Sequence, residues 1–232
     1  MIYNIIKEKT IPKSKEEFIM FKKILYLHGI GSTGEGDTVK MLRERYPESE
    51  IISPELPASP KEAMEYINTL REEHHFNLVI GASLGGFYAM TLGGPIKILI
   101  NPAMFASTDI PKAIGYGEHP YFKERIDGQK TYVIDDEYVA ELKEIEDKYF
   151  NYCEDDEFVY ETYAIFGTED DVVSHIEDFK RLFREYRMTT APFGHRMTPE
   201  IFNTILVPLM EKLYNDVEEH KKTGYPLNFI NY

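Results

Sequence analysis

The sequence has 232 residues, a formal net charge of −14 at pH 7 and 43% hydrophobic residues. It can bury a sizeable core, but it lacks the basic patch needed to bind a nucleic-acid backbone or an anionic membrane surface. A single cysteine, Cys153, excludes an internal disulfide. Because no apolar run is long enough for a signal peptide or a membrane span, we expect a cytoplasmic protein.

The first predicted strand, KILYL at residues 23–27, runs into the glycine-rich loop GIGSTGEG at residues 29–36. The loop contains GxGxxG, and the acidic residue Glu55 follows the next strand-like run, which permits a dinucleotide-binding interpretation built on residues 24–55. A dinucleotide loop needs its helix to begin inside the motif. Here we predict that the helix begins later, with Asp37 as its N-cap. An oxidoreductase is therefore the weaker hypothesis.

Three apolar runs, KILYL, LVIG and KILI, are each followed by glycine or Asn-Pro and then by a helical pattern. This rhythm is typical of a parallel sheet with crossover helices, in which the strands are buried on both faces. Capping patterns at Ser59, Ser174 and Thr198 predict three helix starts. The sequence therefore predicts an α/β fold.

Between Pro102 and about Glu157 the strand rhythm gives way to turns and one short helical pattern. We predict a single domain over residues 1–232 with a cap inserted at about residues 103–157, because no linker or repeat divides the chain. The cap is rich in aromatic residues, which suit either a lid with an acyl-binding wall or the cap's own core. They are Tyr116, Tyr121, Phe122, Tyr132 and Tyr138.

A second glycine motif, GASLGG, places Ser83 between Gly81 and Gly85, directly after a predicted strand and before a predicted helix. GxSxG in this setting predicts a nucleophile elbow, where a sharp turn exposes the serine and small neighbours let the backbone approach closely. The alternative is a glycine-rich helix start without chemistry.

A nucleophilic serine needs a histidine to remove its proton and a carboxylate to fix that histidine. Both types of residue follow Ser83 in chain order. GTEDDVV, at residues 167–173, places acids after an apolar strand, and Gly194-His195 ends a short extended run. Each group lies at a predicted carboxyl end of a strand, where open α/β sheets place their sites.

These motifs resemble the α/β-hydrolase esterases, in particular small bacterial esterases of the YqiA type. The resemblance covers roughly residues 22–213 and leaves residues 1–20 and 215–232 without a role. It is carried by the segments LYLHGIGS, GASLGGFYA, INPA, HPYF, KTYVIDDEYVAEL, GTEDDVV and FGH. It implies an α/β-hydrolase fold, a mostly parallel sheet flanked by helices with an inserted cap.

Carried over to this sequence, the resemblance makes Ser83 the nucleophile and His195 the general base. Asp170 is the better match to the triad acid, and Asp171 is the alternative. The family's oxyanion hole uses two backbone N–H groups, which correspond here to Ile30 and Leu84. His28 matches a structural histidine of the family.

The sequence therefore predicts a serine carboxylesterase that cleaves acyl esters through an acyl-serine intermediate. The alternatives are an acyl-CoA thioesterase and a non-catalytic binding protein with the hydrolase fold. We expect a small acyl ester or thioester as the partner, with no nucleic acid, no membrane span and no cofactor. No metal site is predicted, because the acidic runs at 135–137 and 154–157 have no nearby histidine. The oligomeric state and the physiological acyl and leaving groups stay open.

Overall fold

The computed structural model describes residues 21–152, 162–183 and 185–223. Residues 1–20, Cys153, the last residues of the predicted cap (153–157) and the end of the C-terminal segment (224–232) lie outside this range. Within the described residues, no helix is both long and apolar enough to cross a bilayer.

The described residues form eight strands and eight α-helices, numbered here in chain order. The strands are β1 (Lys23–Leu27), β2 (Glu50–Ile52), β3 (Leu78–Ala82), β4 (Ile96–Ile100), β5 (Gly117–Pro120), β6 (Thr131–Ile134), β7 (Thr162–Gly167) and β8 (Met188–Ala191). The helices are α1 (Asp37–Arg45), α2 (Pro60–Glu73), α3 (Leu84–Met90), α4 (Ala106–Ile114), α5 (Asp136–Tyr152), α6 (Ile176–Phe183), α7 (Pro199–Ile201) and α8 (Val207–Thr223). A 3₁₀-helix spans Glu185–Arg187, and a π-helix over Phe202–Leu206 joins α7 to α8.

Six strands form one sheet in the order β2–β1–β3–β4–β7–β8, and every neighbouring pair is parallel. Successive residues of β1 face opposite sides, so Leu25 packs into one hydrophobic cluster while Ile24 and Tyr26 pack into another. Burial on both faces explains why the strands are continuous apolar runs. The predicted parallel α/β sheet is confirmed.

Because the strands are parallel, the loops after β1, β3, β4, β7 and β8 emerge at the same edge of the sheet. Such an edge is where open α/β sheets place ligand sites. The glycine-rich loop, Ser83, Asp170 and His195 all follow these strands. The topology therefore brings the predicted site residues to one edge.

Two of the predicted helix starts are confirmed in detail. The Ser59 hydroxyl accepts a hydrogen bond from the Glu62 N–H at 3.2 Å, and Thr198 caps α7 through the Ile201 N–H at 3.2 Å. The predicted N-cap at Asp37 is wrong, because Asp37 is the first helical residue and Gly36 is the cap, without a side-chain hydrogen bond. The helix still begins after the GxGxxG motif.

Between β4 and β7, within the predicted cap, the chain forms α4, the antiparallel hairpin β5–β6 and α5. The hairpin connection packs on the loop after β1, since the Phe122 N–H donates to the Gly31 carbonyl at 2.8 Å. The α5 residue Glu141 accepts from the Ser59 hydroxyl at 2.7 Å, which ties α5 to the start of α2. The predicted cap therefore contacts the site edge directly.

Candidate active site

Ser83 occupies a sharp turn between β3 and α3. Its φ of 53° and ψ of −119° are rare for a non-glycine residue, as expected for a strained nucleophile elbow. A Cβ added at Gly81 would lie 2.2 Å from the Gly85 carbonyl oxygen, and one added at Gly85 would lie 2.1 Å from the Leu27 carbonyl oxygen. Only glycine fits at these two positions, so the GxSxG spacing is a packing requirement.

The structure brings His195 and Asp170 together. The distance from His195 Nδ1 to Asp170 Oδ2 is 2.8 Å. The Asp170 side chain is 1% exposed and that of His195 is 21% exposed, so the carboxylate lies beneath the imidazole. Asp171 is exposed. The geometry thus favours Asp170 over Asp171 as the partner of His195.

The charge state of Asp170 is set by its hydrogen bonds. Burial alone would raise the pKa of Asp170, but bonds from His195 and from the Val172 and Val173 amides outweigh burial and lower that pKa. The two amides donate to Oδ1 at 2.8 and 3.2 Å. Because an ionised carboxylate only accepts hydrogen bonds, His195 Nδ1 carries a hydrogen toward Asp170, which leaves Nε2 to act as a base.

Ser83 and His195 line the same cleft, which has a volume of about 300 Å³. Among the described residues, the Ser83 hydroxyl has no hydrogen-bond partner. Catalytic hydrogen bonds are often long before substrate binds, so this resting geometry is compatible with proton transfer to His195.

The loop after β1 lies against the serine. A Cβ added at Gly29 would lie 3.1 Å from Ser83 Cβ and 3.6 Å from its Oγ. The Ile30 and Leu84 N–H groups make no hydrogen bond to any residue in the described ranges, and Ile30 lines the cleft. Within the described residues both N–H groups are therefore available to a ligand, as the predicted oxyanion hole requires.

A buried polar network holds this loop in place. The His28 Nδ1–H donates to the Gly29 carbonyl at 2.9 Å, and its Nε2 accepts from the Leu56 N–H at 3.2 Å. Burial lowers the pKa of His28, which keeps the ring neutral as both bonds require. Glu55 accepts from the Gly34 N–H at 3.2 Å and lies 3.3 Å from Arg125. Glu55 therefore fixes the loop, which leaves little support for a ribose-binding role.

Sequence reasoning missed Asn101, which connects the acid and histidine loops. Asn101 is 1% exposed and has a φ of 42°. Its side-chain oxygen accepts from the Gly167 N–H at 2.7 Å, and its side-chain nitrogen donates to the Gly194 and His195 carbonyls at 3.1 and 3.2 Å. An asparagine directly after a buried strand was the available signal, but its partners are more than 60 residues away.

Changing Asn101 to Asp should lower kcat for the ester hydrolysis predicted from the sequence by about a hundredfold, because an oxygen would then face the Gly194 and His195 carbonyls and displace His195. The Gly167 bond would be kept. We would measure kcat and its pH profile, since a displaced base changes the profile whereas a simple loss of stability does not. Asn77→Asp, at the opposite end of the sheet, is the matched control. Native kcat and pH profile in Asn101→Asp would show that Asn101 has no positioning role.

The cleft has one apolar wall and one polar side. The apolar wall includes Ile110, Ala113, Ile114, Val172 and Val173, and the polar side includes Asp37, Lys123 and Arg196 besides His195. Of the aromatic residues expected in the lid, Phe122 lines this cleft. Met104 and Phe105 follow β4 but are not among the residues that line the cleft. Met104 is fully buried in the core, and Phe105 stacks on Phe150.

His175 stabilises the apolar wall by bonding two carboxylates, one on α4 and one on α6. Its Nε2 lies 2.8 Å from Asp109 of α4 and its Nδ1 lies 3.1 Å from Asp178. Burial alone would lower the pKa of His175, but the two carboxylates outweigh burial and raise it. The ion pair holds α4 against the segment that follows Val173.

Because the pKa of His175 is raised on folding, its stabilisation is complete below the unfolded pKa of about 6.5 and is lost as pH rises through the folded pKa. His175→Gln should therefore lower the free energy of unfolding more at about pH 5.5 than at about pH 9. Urea unfolding at both pH values measures this, with exposed His75→Gln as the control. An equal loss at both pH values would contradict the ion pair.

Among the described residues, no group of three or more His, Cys, Asp or Glu side chains is arranged to hold a metal ion.

A family model for the uncharacterised protein family UPF0227 matches residues 23–195, well over half of the chain. The chain belongs to the UPF0227 family. The matched range includes Ser83, Asp170 and His195, and the resemblance to YqiA-type hydrolases seen in the sequence is confirmed.

Solved structures show the same fold as the UPF0227 chain. Est1E from Butyrivibrio proteoclasticus has a TM-score of 0.54 at 14% identity, over 90% of this chain and 92% of that one. Alpha/beta hydrolase domain-containing protein 10 from mouse has a TM-score of 0.58 at 13% identity, over 84% and 90%. The thioesterase domain from the curacin biosynthetic pathway has a TM-score of 0.50 at 11% identity, over 83% and 91%. The UPF0227 chain has the α/β-hydrolase fold.

Proposed function

We propose that the chain is a serine hydrolase that cleaves small acyl esters through an acyl-Ser83 intermediate. The observation that carries the proposal is the convergence, in one cleft, of a strained serine and a histidine bonded to a buried carboxylate. Ser83 has a φ of 53°, and His195 is 2.8 Å from Asp170. The α/β-hydrolase fold supports the same chemistry.

In the proposed mechanism, Ser83 Oγ attacks the ester carbonyl carbon while His195 Nε2 takes the hydroxyl proton. Asp170 holds the Nδ1–H tautomer and stabilises the imidazolium that forms. The Ile30 and Leu84 N–H groups donate to the oxyanion, an effect of about 3 kcal/mol for each donor. His195 then gives its proton to the leaving alcohol. Water attacks the acyl-enzyme by the same route, and no step requires a cofactor.

The test is hydrolysis of p-nitrophenyl butyrate combined with rapid acid quenching and mass measurement of the protein. We expect p-nitrophenol release and a butyryl group on the peptide that contains Ser83. Hydrolysis without any acylated protein would point to direct attack by water. Absence of hydrolysis across a range of acyl lengths would contradict an esterase.

The second candidate is a thioesterase that accepts an anionic thiol, such as a coenzyme A ester. Two cations, Lys123 and Arg196, line the cleft, and Asp37 is its one exposed acid among the described residues. Asp37 forms an ion pair with Lys123 at 2.7 Å. The Arg196 guanidinium lies over the face of the Phe122 ring. Arg196 is therefore the candidate contact for an anionic thiol, which the acidic overall charge did not predict.

Butyryl-CoA and the butyryl thioester of uncharged N-acetylcysteamine distinguish the two candidates. A thioesterase for anionic thiols should prefer butyryl-CoA by about tenfold or more, and this preference should fall with salt. It should also fall in Arg196→Gln. An equal rate on both thioesters would favour the simple esterase.

A further inference from the structure

A second cavity, of about 30 Å³, adjoins the loop after β1. Gly29 and Ile30 line both this cavity and the cleft that contains Ser83, and Leu84 lines the cavity as well. The volume accommodates about two water molecules or one small oxygen-bearing group. The cavity therefore lies next to both proposed oxyanion donors.

Four tyrosines line this cavity, and the hydroxyl of one of them, Tyr121, donates to the Gln129 side-chain oxygen at 3.3 Å. Tyr88, Tyr132 and Tyr138 are 2%, 4% and 6% exposed, and all three line it. Their hydroxyls make no hydrogen bond to any residue in the described part of the chain. The Tyr132 hydroxyl lies 3.1 Å from the position that a Cβ on Gly31 would occupy, so it reaches the loop itself.

None of these three hydroxyls is among the described polar atoms that are sealed from solvent without a partner, so water or a ligand in the cavity can bond them. Burial raises the pKa of Tyr88 and Tyr138, so both phenols keep their protons and can donate. Arg125 also lines the cavity, and its Nη1 makes no hydrogen bond within the described residues although it lies 3.3 Å from Glu55. The cavity is therefore rich in hydrogen-bond donors.

The charges around the cavity select against an anion. The buried Arg125 guanidinium is paired with Asp127 and also faces Glu55, so two carboxylates surround one cation. His28, which also lines the cavity, is neutral because burial lowers its pKa. Because Glu55 and Asp127 already balance the charge of Arg125, a carboxylate would lose its water without a net positive charge to offset the loss, whereas an uncharged oxygen loses less and finds the same donors.

We propose that this cavity binds an uncharged hydroxyl or keto oxygen on the acyl group, so that the enzyme prefers hydroxyacyl or oxoacyl esters to unsubstituted ones. The inference rests on the proposed function, which places the acyl carbonyl at the Ile30 and Leu84 N–H groups. An oxygen a few bonds along a short acyl chain can reach the adjoining tyrosines. The apolar wall of the cleft is left for the rest of the substrate.

The test compares p-nitrophenyl 3-hydroxybutyrate with p-nitrophenyl butyrate, because these esters share a leaving group and a chain length. We expect kcat/KM to favour one enantiomer of the hydroxy ester by about tenfold, the effect of one or two hydrogen bonds. The ratio should fall toward one in Tyr132→Phe or Tyr138→Phe. Tyr116→Phe, at a tyrosine that is 58% exposed, should leave the ratio at its native value. The p-nitrophenyl monoester of succinic acid should be a poorer substrate than the butyrate.

Three outcomes would overturn the inference while the proposed function stands. They are a native ratio near one, an unchanged ratio in both tyrosine variants, and a preference for the succinate monoester, each with Ser83-dependent hydrolysis. In the first two cases the cavity would hold ordered water only, and in the third it would accept an anion. If neither ester shows Ser83-dependent hydrolysis, the proposed function fails and the inference with it.

A second measurement does not depend on the tyrosine variants folding. Free 3-hydroxybutyrate should inhibit hydrolysis by the native protein at about a tenth of the concentration of butyrate that is needed. Equal inhibition by both acids would contradict the inference.

Discussion

Replacing Ser83 with alanine should lower kcat/KM for p-nitrophenyl butyrate by at least about a thousandfold, because the acyl-enzyme can no longer form. The side chain contributes no hydrogen bond to the fold in the described residues, so the variant should unfold at a similar urea concentration. The loss is thus expected in chemistry and not in stability.

Ser49→Ala is the matched control for this variant. Ser49 precedes β2, at the opposite edge of the sheet from Ser83, and it should keep native activity. Near-native hydrolysis by Ser83→Ala would mean that another group attacks the ester, and the assignment of the nucleophile would be wrong.

Replacing Asp170 with asparagine should lower kcat by about 10³- to 10⁴-fold. An uncharged amide does not stabilise the imidazolium of His195, and its N–H₂ group favours the wrong tautomer. The asparagine oxygen can still accept from the Val172 and Val173 amides, which are 2.8 and 3.2 Å from the native Oδ1. The fold of the loop should therefore be kept.

The comparison with Asp171→Asn decides between the two acids that the sequence left open. Asp171 is exposed, whereas the Asp170 side chain is 1% exposed and bonded to His195. We expect Asp171→Asn to stay within about twofold of native kcat, since exposed carboxylates contribute little. A large loss in Asp171→Asn with a small one in Asp170→Asn would reverse the assignment.

The sheet and the elbow were predictable because their signals are local. The apolar runs of β1, β3 and β4 are buried on both faces. The glycines on either side of Ser83 let the backbone pack so closely that a Cβ at either position would lie within 3 Å of a backbone oxygen. The order of serine, acid and histidine follows from which loops leave the same edge of a parallel sheet. The sheet and the elbow thus each follow from a pattern within a few residues, whereas the order of serine, acid and histidine follows from the topology of the sheet.

The supporting contacts were not predictable, because they join distant parts of the chain. Asn101 bonds residues of β7 and of the loop after β8, and Glu55 links the Gly34 amide to Arg125. In the sequence, Glu55 lies where a dinucleotide-binding protein has the acidic residue that binds the ribose. Only the fold shows that the Glu55 carboxylate is already bonded within the protein. The wrong N-cap at α1 arose differently: Asp37 suits both a cap and a first helical turn, where its charge favours the helix dipole.

The cavity next to the loop after β1 could not be predicted either, because the fold brings its lining residues together. Of its four tyrosines, Tyr88, Tyr132 and Tyr138 come from α3, β6 and α5, and Tyr121 lies between β5 and β6. In the sequence they are indistinguishable from ordinary core aromatics, and the interpretation of the cap as either a lid or its own core was left open for that reason. Phe122 lines the cleft and Tyr132 lines the cavity, so the cap contributes to both spaces.

Labelling with a fluorophosphonate tests the central claim most directly, since this reagent reacts with an activated serine and requires no knowledge of the substrate. The native protein should gain one adduct, located on Ser83 by peptide mass analysis, and butyrate esters should slow the labelling. Ser83→Ala should gain none, and Asp170→Asn should react much more slowly than Asp171→Asn. A native protein that stays unlabelled while folded, or an adduct on another serine, would contradict the account.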